Sequence, residues 1–117
     1  MRRQEDSGYL LAHDVGTTGD KATLFDLDGR LVASVLKEYE TFHPQHLWAE
    51  QDPEDWWRAF IESTRELLSK SKVDSGDVKA ISFSGQMMGC LPVDKSGKPL
   101  RRSIIWMDQR SVKQADL

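Results

Sequence analysis

Three observations predict an α/β fold in which one helix covers a mixed sheet. Apolar runs divided by glycine-containing turns open the chain, a helix-initiating cluster with a helical apolar stripe fills its middle, and another apolar run of strand length follows. A meander, then a helix, then a strand is the element order of a helix-covered sheet.

Each element has a local reason. Residues 9–14 form a short apolar run that reads as a buried strand and ends in Gly16, Thr17, Thr18 and Gly19, where backbone can turn tightly and amides can point outward. The segment KATLFDLDGRLVASV alternates and contains Asp28-Gly29, a dipeptide favoured by two-residue hairpins. Strands are therefore expected over residues 21–27 and 30–39, completing a three-stranded meander. Residues 41–51, with Pro44 and two histidines, read as an extended connection. Asp52 then supplies an N-cap, Pro53 a first helical residue, and Glu54 and Asp55 first-turn acids. Trp56, Phe60, Ser63, Thr64, Leu67 and Leu68 keep helical spacing, so the helix is expected from Pro53 to Ser71, before Gly76 breaks the pattern.

Residues 78–84, with Ala80, Ile81 and Phe83, read as a buried strand ending at Gly85. Residues 90–94 read as a strand, 95–97 as a turn, 100–106 as a last short strand, and Ser111 as the start of a helix. A helical crossover would set strand 78–84 parallel to strand 9–14, which brings Asp14 and Gly85 to the same end of the sheet.

Composition narrows the function classes. A chain of 117 residues suffices for one core and is too short for a two-domain cleft. Sixteen Lys and Arg against 19 Asp and Glu give a net charge of −3, so neither nucleic acid nor an anionic membrane is an expected partner. Cys90 is the single cysteine, which excludes an internal disulfide and fits a reducing cytoplasm. No stretch has the length of a membrane span, and the apolar residues 9–12 are too few for a signal-peptide core. Residues 1–8 are polar enough for a disordered lead-in.

Four segments carry candidate chemistry. In DVGTTGDKA, Asp14 could hold Mg²⁺ through water, Thr17 and Thr18 could offer amides and hydroxyls to phosphate oxygens, and Lys21 could add charge. The Walker pattern is absent, and the same residues could merely satisfy their own turn. FDLDGR superficially resembles the nucleophile loop of haloacid-dehalogenase-like phosphatases, with Asp26 as nucleophile and Asp28 as acid. Arg30 stands where that loop wants Thr or Ser, and a hairpin turn already explains the Asp-Gly. In SGQMMGCL, Gln86, Met87 and Met88 could present an amide and two thioethers to a small polar ligand, or the methionines could fill a core gap. In WMDQR, Trp106 could stack on a sugar, Asp108 could bond its hydroxyls and Arg110 could hold Asp108, or the trio could be a strand end with a surface ion pair. The histidines show no metal-ligand spacing with Cys90.

In this order and spacing the four segments resemble the N-terminus of the FGGY carbohydrate kinases, in particular their xylulokinase-like branch. The motifs are LAHDVGTTGDKATLFDLDGRLVAS, WAEQDPEDWW, ISFSGQMMG and SIIWMDQRS, which together span residues 9–110. The resemblance implies an actin-like, ribonuclease-H-like ATPase fold with ATP and Mg²⁺ as cofactors and a ketose or polyol as substrate. It implies that Asp14 lies beside the metal and the transferred phosphoryl group, and that Thr17, Thr18 and Lys21 approach the nucleotide phosphates. Gln86, Met87, Met88, Trp106, Asp108 and Arg110 would line or support the sugar pocket. Met88 stands where xylulokinases typically have His, and Gly19 and Asp20 stand where small hydroxyl residues are usual, which would add a negative charge near the loop. Residues 9–117 would then be an incomplete first domain, inactive by itself because the aspartate base lies in later segments. A homodimer is among the assemblies open to the full-length parent. The competing expectation is a non-catalytic actin-like module that binds nucleotide or a partner.

Overall fold

In the computed structural model, residues 7–117 are described. Of the expected lead-in, residues 1–6 lie outside the described residues. Three strands, β1 (Tyr9–Val15), β2 (Gly19–Asp26) and β3 (Leu31–Glu38), form an antiparallel meander. Helix α1 (Pro53–Ser71) crosses over to β5 (Val78–Gly85), which pairs with β1 in parallel, giving the sheet order β3-β2-β1-β5. A two-residue strand, β4 (Glu50–Gln51), lies within the connection expected to be merely extended, and pairs antiparallel with β6 (Ser103–Ile104). A single helical turn, α2 (Val112–Ala115), follows Ser111.

Local chemistry sets these boundaries. The hairpin turns at Gly29, whose φ of 81° is natural only to glycine, while Asp26 Oδ1 accepts from the amides of Asp28 and Arg30 at 2.9 Å each. Asp52 caps α1 by accepting from the Glu54 amide at 2.9 Å, and Lys72 ends it in the left-handed region. Gly19 lets β2 approach β3 closely, because a Cβ there would stand 2.3 Å from the Lys37 carbonyl oxygen. Leu11, Ala22, Leu24 and Val35 of the sheet pack against Leu67 of α1 to form the core.

Three expectations need correction. Residues 78–84 were expected to be buried, yet Ile81 is 48% and Phe83 60% exposed, because β5 is the edge of the sheet and α1 packs mainly on β2 and β3. The strands expected at 90–94 and 100–106 shrink to β6 and the isolated bridges Cys90 to Ile104 and Val93 to Pro99. Pro92 and Pro99 lack the amide hydrogens a longer ladder would need. Asp20 was placed in the phosphate loop but belongs to β2, where strand alternation turns it inward beside Ala22 and Leu24.

Inside, Asp20 Oδ2 lies 2.8 Å from His13 Nδ1 and accepts from Ser63 Oγ of α1 at 2.6 Å, and the side chains of both His13 and Asp20 are fully buried. Asp20 Oδ1 is buried with no partner among the described residues. The His13 ring also stacks on Phe83 at 5.4 Å, so this polar pair is walled by aromatic carbon.

A second polar cluster fastens residues 103–110 onto β4. Asp108 Oδ2 accepts from the Ala49 amide at 2.7 Å, and the Arg110 guanidinium bonds both oxygens of Asp108 and, at 2.8 Å, Glu50 Oε2. Arg110 also lies over the Trp48 ring, 3.8 Å from its centroid. The hydrogen bonds from Arg110, outweighing burial and helped by the Ala49 amide, hold the Asp108 carboxyl down to about 2.

Because the folded Asp108 carboxyl sits below its unfolded value, its stabilisation is complete above about pH 4 and drains away as pH falls toward 2. Urea midpoints measured against pH are expected to fall across that window, and Arg110→Met is expected to be less stable at neutral pH and to flatten the slope. For the inner pair, Asp20→Ala is expected to cost roughly 3–5 kcal/mol, since it strands His13 and Ser63 without their partner. The double substitution His13→Leu with Asp20→Leu is expected to cost clearly less than the sum of the two single changes, measured by denaturant unfolding.

Candidate functional site

The parallel pairing of β1 and β5 sets Asp14 opposite Ser84 and Val15 opposite Gly85, so the loops leaving both strands emerge on one side. That edge of an open α/β sheet is where ligands are held. Between the loops lies a cleft of about 340 Å³, with Asp14, Gly16 and Thr17 on one wall and Gly85 to Met88 with Trp106 on the other. Asp14 is exposed, and its Oδ1 accepts from Ser84 Oγ at 3.1 Å.

The loop between β1 and β2 is held from three sides. Its own turn closes by the Gly16 amide donating to the Gly19 carbonyl at 3.0 Å. Just after β3, the Tyr39 amide donates to the Thr18 carbonyl at 3.2 Å and the Tyr39 hydroxyl to the Gly16 carbonyl. Burial, reinforced by the charges of Asp20 and Asp14, pushes the Tyr39 phenol well above its ordinary value, so it remains a donor. From the other wall, Trp106 Nε1 donates to Thr17 Oγ1 at 2.8 Å, and from β4 the buried Gln51 Nε2 donates to the Thr17 carbonyl at 2.7 Å. Thr18 sits in this same turn. Lys21, the cross-strand partner of Asp14, shares its face of the sheet and lines with it a second concavity that includes Thr23, Phe25 and Ser82.

On the opposite wall Gln86, Met87, Met88 and Trp106 face the cleft, while Asp108 and Arg110 do not line it. Those two are spent on each other, on Glu50 and on the Ala49 amide, and so hold the turn that presents Trp106. Met88 is 84% exposed and has a φ of 62°, a left-handed backbone unusual for its type. Gln86 Oε1 is buried and has no partner among the described residues. Asp26 and Asp28 lie at the far end of β1 and β2 from Asp14, and Asp26 serves its own turn, so the phosphatase-like arrangement has no geometry here.

Sequence reasoning did not single out Gln51, Glu50, Ser84 or Tyr39. Ser84 could have been found from register, since the expected parallel pairing puts it beside Asp14. Gln51 carries no pattern signal, because its partners lie 5 to 35 residues away along the chain. For a metal the donors are one carboxylate with hydroxyls nearby, and among the described residues no group of three or more His, Cys, Asp or Glu comes together. Such a donor set suits Mg²⁺, which takes one or two carboxylates and completes its shell with water and phosphate oxygens.

Comparison with known proteins places this geometry in a family. Residues 9–117 match the N-terminal domain of the FGGY family of carbohydrate kinases. A glycerol kinase of Trichormus variabilis is 37% identical over 106 residues, covering 90% of this chain and 21% of the relative. A xylulose kinase of Bacillus subtilis is 37% identical over 106 residues, covering 91% and 21%. The crystal structure of a gluconate kinase from Lactobacillus acidophilus superposes with a TM-score of 0.87 at 34% identity, covering 94% of this chain and 22% of that one. The chain thus spans about a fifth of the length of the curated relatives it matches. Among the described residues no helix is long and apolar enough to cross a membrane. The sheet order, the covering helix and these likenesses assign the actin-like ATPase fold, and the chain belongs to the FGGY family of carbohydrate kinases, whose N-terminal domain it matches.

Proposed function

We propose that the polypeptide carrying this chain transfers the γ-phosphoryl group of ATP to a hydroxyl of a ketose or polyol, in the cytoplasm, and that residues 9–117 supply the nucleotide-loop and sugar-side walls of its site. One observation carries the reading: two adjacent strand ends put an exposed carboxylate, a Gly-Thr loop and a wall of Gln86, Met87, Met88 and Trp106 around a single cleft. The glycerol and xylulose named for the two relatives bracket the substrate class.

Asp14 is the charged group at the transfer point. Mg²⁺ bound beside it would neutralise charge on the transferring phosphoryl group. The oxygen of Thr17 accepts from Trp106, which leaves its hydroxyl hydrogen for a phosphate oxygen; Thr18 belongs to the same loop, and Lys21 flanks Asp14 on the neighbouring strand, where it would add positive charge. On the other wall, Gln86 lines the cleft beside the half-exposed Trp106 ring, which offers an apolar face to sugar carbon. Asp108 and Arg110 contribute by holding the Trp106 turn. Phosphoryl transfer of this kind works by positioning and charge stabilisation.

In the full-length polypeptide, Asp14→Ala is expected to abolish sugar-dependent ADP release while leaving the unfolding midpoint nearly unchanged. The 117-residue segment alone is expected to give no sugar-dependent ADP release in a coupled assay with ATP, Mg²⁺ and mixed ketoses and polyols. Release that vanishes in Asp14→Ala would make the segment a complete kinase. For specificity, Met88 offers no hydrogen bond where an imidazole could, which is worth roughly ten to a hundredfold. Xylulose is therefore expected to be a poor substrate, and Met88→His to raise its kcat/KM; an unchanged ranking across a ketose and polyol panel would remove Met88 from the site.

A further inference from the structure

Gln51 is fully buried, and its side-chain amide uses its whole hydrogen-bonding capacity. Nε2 donates to the Thr17 carbonyl at 2.7 Å and to Thr41 Oγ1 at 2.9 Å, while Oε1 accepts from Trp56 Nε1 at 2.9 Å and from Gln86 Nε2 at 2.7 Å. Two of these partners have a single role. A carbonyl only accepts and an indole N–H only donates, so Thr17 and Trp56 fix which end of the Gln51 amide is nitrogen and which is oxygen. The oxygen end then calls for a donor from Gln86, which fixes that amide too and leaves Gln86 Oε1 as the atom without a partner among the described residues.

We propose that Gln51 is a positioning residue that holds the nucleotide loop and the sugar-side amide of Gln86 in one fixed relation, an inference that rests on the kinase reading above. Its oxygen face orients Gln86, which lines the sugar-side wall, and its nitrogen face anchors the loop at Thr17. Trp106 bonds the Thr17 hydroxyl from the same wall, so Thr17 is tied to the sugar side through both its main chain and its side chain. Thr41 completes the nitrogen face on a segment that does not line the cleft.

Separating the two faces tests this in the full-length polypeptide. Gln51→Glu, assayed at a pH alkaline enough to ionise a buried glutamate, keeps two acceptor contacts and loses both donors. It is expected to raise KM for ATP or lower kcat about 10–100-fold while the KM for the sugar stays within about threefold. Gln51→Met loses both faces and is expected to impair both substrates. Thr41→Val removes one hydrogen bond to the same amide and serves as the stability control, with lowered unfolding temperature and both KM values unchanged. Gln51→Glu losing ATP and sugar kinetics to the same extent would overturn the inference, as would Gln51→Met with wild-type kinetics, or a Thr41→Val whose kinetic losses match those of the Gln51 variants at a similar fall in unfolding temperature. A wild-type enzyme that releases no ADP with any ketose or polyol would instead overturn the kinase reading and this inference with it.

Discussion

The arrangement of the site depends on a two-residue strand. Successive side chains of β4 point to opposite faces. Glu50 therefore reaches Arg110 and Arg101 while Gln51 reaches Thr17, Thr41, Trp56 and Gln86. The first side fastens the turn that carries Trp106, and the second fastens the loop and the end of β5. A buried amide with open valences would cost more than an apolar side chain in its place, whereas a saturated one defines a single arrangement of its neighbours. Gln51 is of the saturated kind, so the main sheet sets where the two loops emerge and β4 sets how they face each other.

Much of the fold was legible because it rests on short-range rules. Asp28-Gly29 marked the hairpin, Asp52-Pro53 marked the helix start, and a helical crossover implied the parallel β5 that brings Asp14 beside Ser84. Burial of β5 was misjudged because an apolar run looks the same at an edge as at a centre, and only the sheet order distinguishes them. Asp20 was misplaced for a smaller reason. Starting the second strand at Lys21 left Asp20 in the loop, whereas starting it at Gly19 puts Asp20 on the inward parity of Ala22 and Leu24. Periodicity then makes it a core position, and Ser63, already on the helix stripe, is its natural partner.

Which residues would gather at the candidate cleft was legible by residue type, but which of them line it and which brace it was not. Six residues were read together as lining or supporting a sugar pocket, and the structure separates them by what their polar atoms already touch. Asp108 and Arg110 are saturated by each other and by β4, while Gln86 lines the cleft and Trp106 keeps an exposed ring there. No pattern in the sequence distinguishes a carboxylate that binds substrate from one that binds a guanidinium two residues on. The difference arises when Ala49 and Glu50, far away in sequence, complete the cluster.

The fold is shared with proteins named for glycerol, xylulose and gluconate, so discrimination among substrates cannot come from the sheet and helix that all of them have. Within this chain the anchored groups are poor candidates for it, because altering Gln51, Glu50 or Asp108 would disturb both walls at once. Met87 and Met88 are different. They are 74% and 84% exposed, and the backbone at Met88 is held in a conformation that glycine or asparagine would adopt more readily. A side chain maintained there against a local conformational cost, at the rim of a cleft whose other members are fixed, is free to change chemically without loosening the frame. The physical division is therefore between a saturated polar lattice that fixes geometry and a short exposed turn at the rim of the cleft that lies outside that lattice.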